Sequence, residues 1–190
     1  TTVPATFFVD RLKIPWEISP VQQDVGCVQN GPIAINVPAT WDAHDRFHRT
    51  WSDRLQTEVD AMRTADPKIV LADTPYLALA AGKAAGIPSI VLASLTWDLI
   101  LSEYEAPPSI DSLAITQSIR QAYGHADAAL LITPAPPIKS FSQGVSIGPI
   151  AEPAASAREQ LTTTLALAPD ERIVLVGFGG VPLNSVPFEK

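Results

Sequence analysis

Apolar and polar positions alternate along the chain in two rhythms, short apolar runs and longer stretches of helical period. The clearest unit runs from Lys68 to Ser94. "KIVLAD", Lys68 to Asp73, is a branched apolar run of strand length. "YLALAAGKAA" follows, dense in small side chains and suited to a helix lying close on a sheet. Thr74 is placed to cap that helix and Pro75 to open it, where a missing N–H costs nothing. Gly86 suits the left-handed position after the last turn, with Pro88 beyond it. "SIVLAS", Ser89 to Ser94, is a second strand. Strand, helix and strand with short joints make a βαβ unit, so the two strands are expected to be parallel.

The same reading extends both ways. Thr6 to Val9 is a short extended run, and "DVGCVQ", Asp24 to Gln29, reads as a buried strand closed by Asn30-Gly31. Thr40 is placed to cap one long helix reaching about Met62. Trp41, His48, Leu55 and Met62 recur at heptad spacing with His44 and Trp51 beside them, a single core-facing stripe. "TWDLILSEY" opens another helix with Asp98 near its positive end. Asp111 to Tyr123 reads as a helix and "AALLIT" as a strand. Pro134 to Pro153 reads as a connector holding one short strand, and Ala154 to Leu167 as a helix. Ile173 to Val176 is a final strand feeding the glycine loop "GFGG". The expected fold is α/β, a Rossmann-like open parallel sheet with helices on both faces and about five strands before Pro134. The connector divides the chain into 1–150 and 151–190.

Composition narrows the function. The 190 residues carry a net charge of −7 with Lys and Arg scattered, which disfavours a nucleic-acid partner, since phosphate binding needs a basic face. The apolar stretch from Tyr76 to Ile100 is interrupted by Gly82, Lys83, Gly86, Pro88 and Asp98, so no transmembrane segment is expected. The single Cys27 has no partner for an internal disulfide, and a reducing, cytoplasmic setting is expected. His44 and His48 stand four apart on a helix, but no third ligand has matching spacing, and no metal site is assigned.

In open α/β sheets ligands bind beyond the carboxyl ends of the strands. That rule selects Gln29 and Asn30, Asp73 and Thr74, then Ser94, Thr96, Trp97 and Asp98. A rim of hydroxyls, carboxylates and an indole suits a hydroxyl-rich substrate. Each has a plainer reading: Asp73 as a helix cap, Trp97 as a packing anchor, Asp98 as an acid favoured by the helix dipole. Gly177, Gly179 and Gly180 would let backbone N–H groups approach an anion closely, or form only a tight turn.

"DVGCVQ", "DPKIVLADTPYLALAAGKAAGIPSIVLASLTWDLILSEY" and "IVLVGFGG", in this order, resemble GT-B glycosyltransferases. The likeness is to bacterial members similar to the lipid II-forming N-acetylglucosaminyltransferase, and to the glycosyltransferase-like N-terminal part of plant L-arabinokinase. It runs from about Pro20 to the end and is strongest at Thr96-Trp97-Asp98. The resemblance implies two Rossmann-like domains across a cleft, with 1–150 most of the acceptor-side domain and 151–190 a linker helix and the start of the donor-side domain. It implies a nucleotide-sugar donor as substrate, no separate cofactor, and transfer of the sugar to an acceptor hydroxyl. Asp73 and Asp98 would act near that hydroxyl. Gln29, Asn30, Thr74, Ser94, Thr96 and Trp97 would contact substrate. Gly177, Gly179 and Gly180 would meet the donor diphosphate. Relatives open with a strand and glycine-rich loop and close with a full donor domain, so the expectation is an internal piece of a longer enzyme, inactive alone. Where relatives read Asn-Phe, this chain has Ser94-Leu95. The alternative is a non-catalytic binding or regulatory module, such as one attached to a sugar kinase. An unpaired sheet edge could pair with a second copy.

Overall fold

The computed structural model describes residues 3–9, 11–31, 33–151, 155–168 and 170–175. Four strands form one sheet in the order β1-β2-β3-β4, with β1 Val70–Ala72, β2 Ser89–Ala93, β3 Ala128–Ile132 and β4 Gly144–Ile147. All three pairings are parallel, and the register sets Leu71 beside Ile90 and Leu92 beside Leu130. The fold is an α/β, Rossmann-like open parallel sheet flanked by helices. Three described strands precede Pro134 rather than about five, and the fourth lies inside the expected connector, so the sheet reaches Ile147.

The βαβ unit forms as its pattern predicts. Helix α4, Tyr76–Ala85, joins β1 to β2 and packs on both. Gly86 closes it at φ 76, the left-handed conformation that favours glycine. Pro75 takes the capping position and Tyr76 opens the helix. The Thr74 hydroxyl reaches only the Asp73 carboxylate, at 3.4 Å, and caps nothing. Helix α6, Ser112–Tyr123, begins where Asp111 accepts from the Ala114 N–H at 3.0 Å.

Three expectations change. Thr6–Val9 is one helical turn, α1, with Phe7 edge-on to Phe8 and the Arg11 guanidinium over the Phe7 ring. Asp24 to Gln29 is not a strand. It finds partners outside the sheet: Val28 N–H donates to Thr40 Oγ1, Asn36 N–H to Val28 O, and Asn30 N–H to Ala34 O around Gly31 at φ 93. Gln29 therefore makes only an isolated bridge to Ile35. The expected long helix is two, α2 Val37–Arg49 and α3 Trp51–Ala65. Asn36 caps α2 through Ala39 N–H, and Thr40 lies one turn inside. At Thr50 the hydroxyl bonds back to Phe47 O and also accepts from Arg54 Nε, local bonds that compete with a continuous helix.

The stripe on these helices does face the core. Trp41, His44, Phe47 and Met62 are buried, and the rings of His48, Trp51 and Tyr76 are mutual near-parallel neighbours. Helix α3 packs on α4, α4 on α6, and α6 on α2 and on α5, Trp97–Leu101. This layer buries Val70, Ala72, Val91, Ala93 and Ala129 on one face of the sheet. Sequential strand order with crossovers of one hand sends the connecting helices to one side. No second helix layer covers the other face among the described residues, where Leu71 is 65% and Val145 62% exposed. Helix α7, Arg158–Thr164, buries no residue. Ile173, Val174 and Leu175 are exposed and join no described strand.

Candidate functional site

Parallel pairing of β1 and β2 sets their carboxyl ends on one rim, so Asp73-Thr74 and Ser94 to Asp98 leave the sheet at the same end. The loop 21–28 crosses this rim. Its Asp24 carboxylate accepts from Trp97 Nε1 at 2.7 Å, and the indole lies against Gly26, where an added Cβ would stand 3.5 Å from the ring. Gln23 O accepts from Leu77 N–H, which ties the loop to the first turn of α4. Beside Asp24 is a cavity of about 350 Å³ lined by Gln22, Gln23, Gly26 and Pro75 among others. Gln23 Oε1 is buried without a partner among the described residues.

Burial pushes the Asp24 carboxyl above its ordinary range, and the nearby Asp73 charge adds to this against the Trp97 hydrogen bond. Asp73 itself is exposed. One partly buried acid with a raised affinity for protons thus stands near an open carboxylate, an arrangement able to take and hold a proton from a hydroxyl.

The backbone of this rim is held in an uncommon conformation. Thr74 has φ 71, left-handed and costly for a β-branched residue. The buried Tyr123 hydroxyl donates to Thr74 O at 2.7 Å and accepts from Trp97 N–H at 3.3 Å. One phenol therefore links the loops after β1 and β2. Its ionisation is pushed far up, first by burial.

Asp98 has a different environment. It is 2% exposed and receives Ser140 Oγ at 2.9 and 2.8 Å and Arg120 Nε at 3.1 Å. Its carboxylate braces α5 against α6 and against the segment before β4. Thr96 is buried, its hydroxyl without a partner among the described residues, and Ser94 is exposed. Gln29 and Asn30, not ending a strand, sit on the turn before α2. Gly177, Gly179 and Gly180 lie outside the described residues.

Among the described residues no three His, Cys, Asp or Glu gather as a metal-holding group. Burial, with a smaller contribution from His48, lowers His44 to about 4, and His48 itself shares a 3.2 Å hydrogen bond with the Tyr76 hydroxyl. Cys27 is half-buried with its thiol pushed up, so it has little nucleophilic character. No described helix is long and apolar enough to cross a membrane.

Sequence reasoning missed Asp24 and Tyr123. Asp24 heads the run expected to be a strand, where an acid reads as a boundary. Tyr123 ends a helix as one more core aromatic. Neither carries a spacing signal, since their partners are 73 and 49 positions away.

The chain is similar to L-arabinokinase of Arabidopsis thaliana, 23% identical over 184 residues. The match takes in 96% of this chain and 18% of the relative, so the chain spans about a fifth of that protein's length. No family model and no solved structure matches.

Proposed function

We propose that this chain forms the acceptor side of a sugar-transferring enzyme, in which a hydroxyl attacks the anomeric carbon of a nucleotide sugar and a nucleoside diphosphate leaves. The observation that carries the reading is the contact of Asp24 with the Trp97 indole beside Asp73 on the carboxyl rim of the sheet. Asp73, the open carboxylate, takes the proton of the attacking hydroxyl. Asp24 tunes it and orients the indole, on which a sugar ring stacks. Thr74 and Ser94 flank the acceptor, with Thr96 behind them. Asp98 serves by holding α5 in place rather than by touching substrate. Gly177, Gly179 and Gly180 are assigned to the donor diphosphate, as the GT-B resemblance implies.

Similarity to a protein named for a sugar substrate supports sugar chemistry. The test is release of nucleoside diphosphate by the full-length protein offered nucleotide sugars and hydroxyl acceptors. Asp73→Asn is expected to lower turnover by at least about a hundredfold, the usual worth of a positioned base. Undiminished turnover in that variant refutes the assignment. A second reading follows from the 18% share of the relative, that such a segment serves as a sugar-binding module within a larger protein. A sugar that moves the Trp97 indole resonance in a full-length protein showing no transfer favours it.

A further inference from the structure

Thr74 holds the most strained backbone angle of the rim. Its φ of 71 is left-handed, and a branched Cβ makes that conformation costly. Such strain persists only where the surroundings hold it, and it gathers at working sites. Thr74 follows Asp73 directly, so its backbone angle decides where the Asp73 carboxylate stands. In this conformation the Thr74 hydroxyl lies 3.4 Å from Asp73 Oδ1.

The group that holds Thr74 comes from another element. Tyr123 is the last residue of α6 and is wholly buried. Its ring lies edge-on to Tyr76 and to Phe141. Its hydroxyl donates to Thr74 O at 2.7 Å and accepts from Trp97 N–H at 3.3 Å. That N–H is one of the free donors at the start of α5, where Thr96 provides no side-chain cap. One oxygen therefore fixes the exit from β1 against the entry to α5. Asp73 stands at the first and the Trp97 indole at the second, and the indole holds Asp24 at 2.7 Å. Burial keeps the phenol protonated, so it can go on donating.

We infer that Tyr123 is a positioning residue of the rim, holding Thr74 left-handed so that the Asp73 carboxylate stays beside Asp24. Its use in catalysis rests on the reading of the rim as an acceptor site, in which Asp73 takes the proton. Tyr123 touches no substrate and acts through Thr74. Without the phenol oxygen, Thr74 turns to a negative φ and carries Asp73 away. Glycine adopts φ 71 without strain, so Thr74→Gly keeps the turn whether or not the phenol is there.

The experiment compares Tyr123→Phe, Thr74→Gly and the double variant in the full-length protein. Tyr123→Phe keeps the ring and removes one oxygen. The Thr74 Cα and Cβ chemical shifts report its φ. The midpoint of the Asp24 carboxyl titration reports where the Asp73 charge stands. Of the groups that face Asp24, Tyr76 and Tyr123 stay neutral, and Asp73 adds the charge that raises it. Release of nucleoside diphosphate reports catalysis. In Tyr123→Phe the Thr74 shifts are expected to leave their left-handed values, the Asp24 midpoint to fall, and release to slow about tenfold or more. In the double variant the midpoint and the rate are expected to return to those of Thr74→Gly alone. Unchanged Thr74 shifts in Tyr123→Phe overturn the assignment, because the phenol then holds nothing. A double variant no better than Tyr123→Phe overturns it too, since the oxygen would then serve stability alone. A protein that releases no diphosphate, yet loses and regains the Asp24 midpoint in this order, supports the positioning by Tyr123 and refutes the transfer reading.

Discussion

Asp24 and Asp98 are both acids taken from water, yet they differ in what surrounds them. Asp98 receives a hydroxyl and a guanidinium, which suit its charge. Asp24 receives one indole N–H and faces a second acid, so folding works against its ionisation. Its folded pKa lies above the unfolded one. Any stabilisation it gives is complete at low pH and is lost as pH rises through the folded value. Asp24→Asn keeps an acceptor for the indole and removes the charge, so it is expected to raise the melting temperature at neutral pH while lowering activity, a trade seen at functional sites. Thermal melts at pH 7 check this, and a lowered melting temperature counts against the Asp24 assignment. Trp97→Phe leaves Asp24 without its donor and is expected to cost about 1.5–3 kcal/mol in denaturant unfolding. At this scale the placement of Asp73, Thr74 and Trp97 after the strand ends was legible, because a strand end and its loop can be read locally. Asp24 was not, because its meaning comes from an indole on another loop.

The elements that were legible are those whose start, period and stop agree. Helix α4 has a proline before it, small residues along it and a glycine after it. Gly86→Ala meets open space but keeps φ 76, so the cost is conformational, about 1 kcal/mol by chemical denaturation. Helix α2 shows how a boundary is missed. Thr40 looks like a cap, but its hydroxyl serves Val28, and Asn36 does the capping. Asn36→Ala is therefore expected to cost about 1 kcal/mol. Loss of stability at Thr40 would instead reflect release of the loop that carries Asp24. The run from Asp24 to Gln29 has the composition of a strand, but its backbone is satisfied by α2 and by its own turn, and composition cannot show that.

Across the whole molecule, one side chain ties distant parts together and another couples the fold to pH. Tyr123→Phe strands Thr74 O and Trp97 N–H in a buried setting, at about 1–3 kcal/mol. It is also expected to shift the Trp97 indole resonance as the left-handed Thr74 relaxes. His44, with His48 lowered alike by burial, sets an acid limit on the fold. Burial lowers it to about 4 from an ordinary 6.5, so the unfolded chain takes up the proton first. Its contribution to stability is whole above pH 6.5 and declines as pH falls towards 4, by about 2 kcal/mol at pH 5. His44→Leu is expected to flatten the slope of unfolding free energy between pH 7 and 5. An unchanged slope would show that His44 is not buried neutral.

By itself the sequence determined the α/β class, the parallel βαβ unit, the core stripe on α2 and α3, and the rim loops. Each of these rests on local period, on capping residues, or on the short joints that force neighbouring strands to run the same way. The tertiary structure alone decided which acid is tuned and which is braced, that a phenol spans two loops, and that the described helices cover one sheet face. Those outcomes depend on partners far apart in the chain, on burial, and on which backbone groups find a partner first.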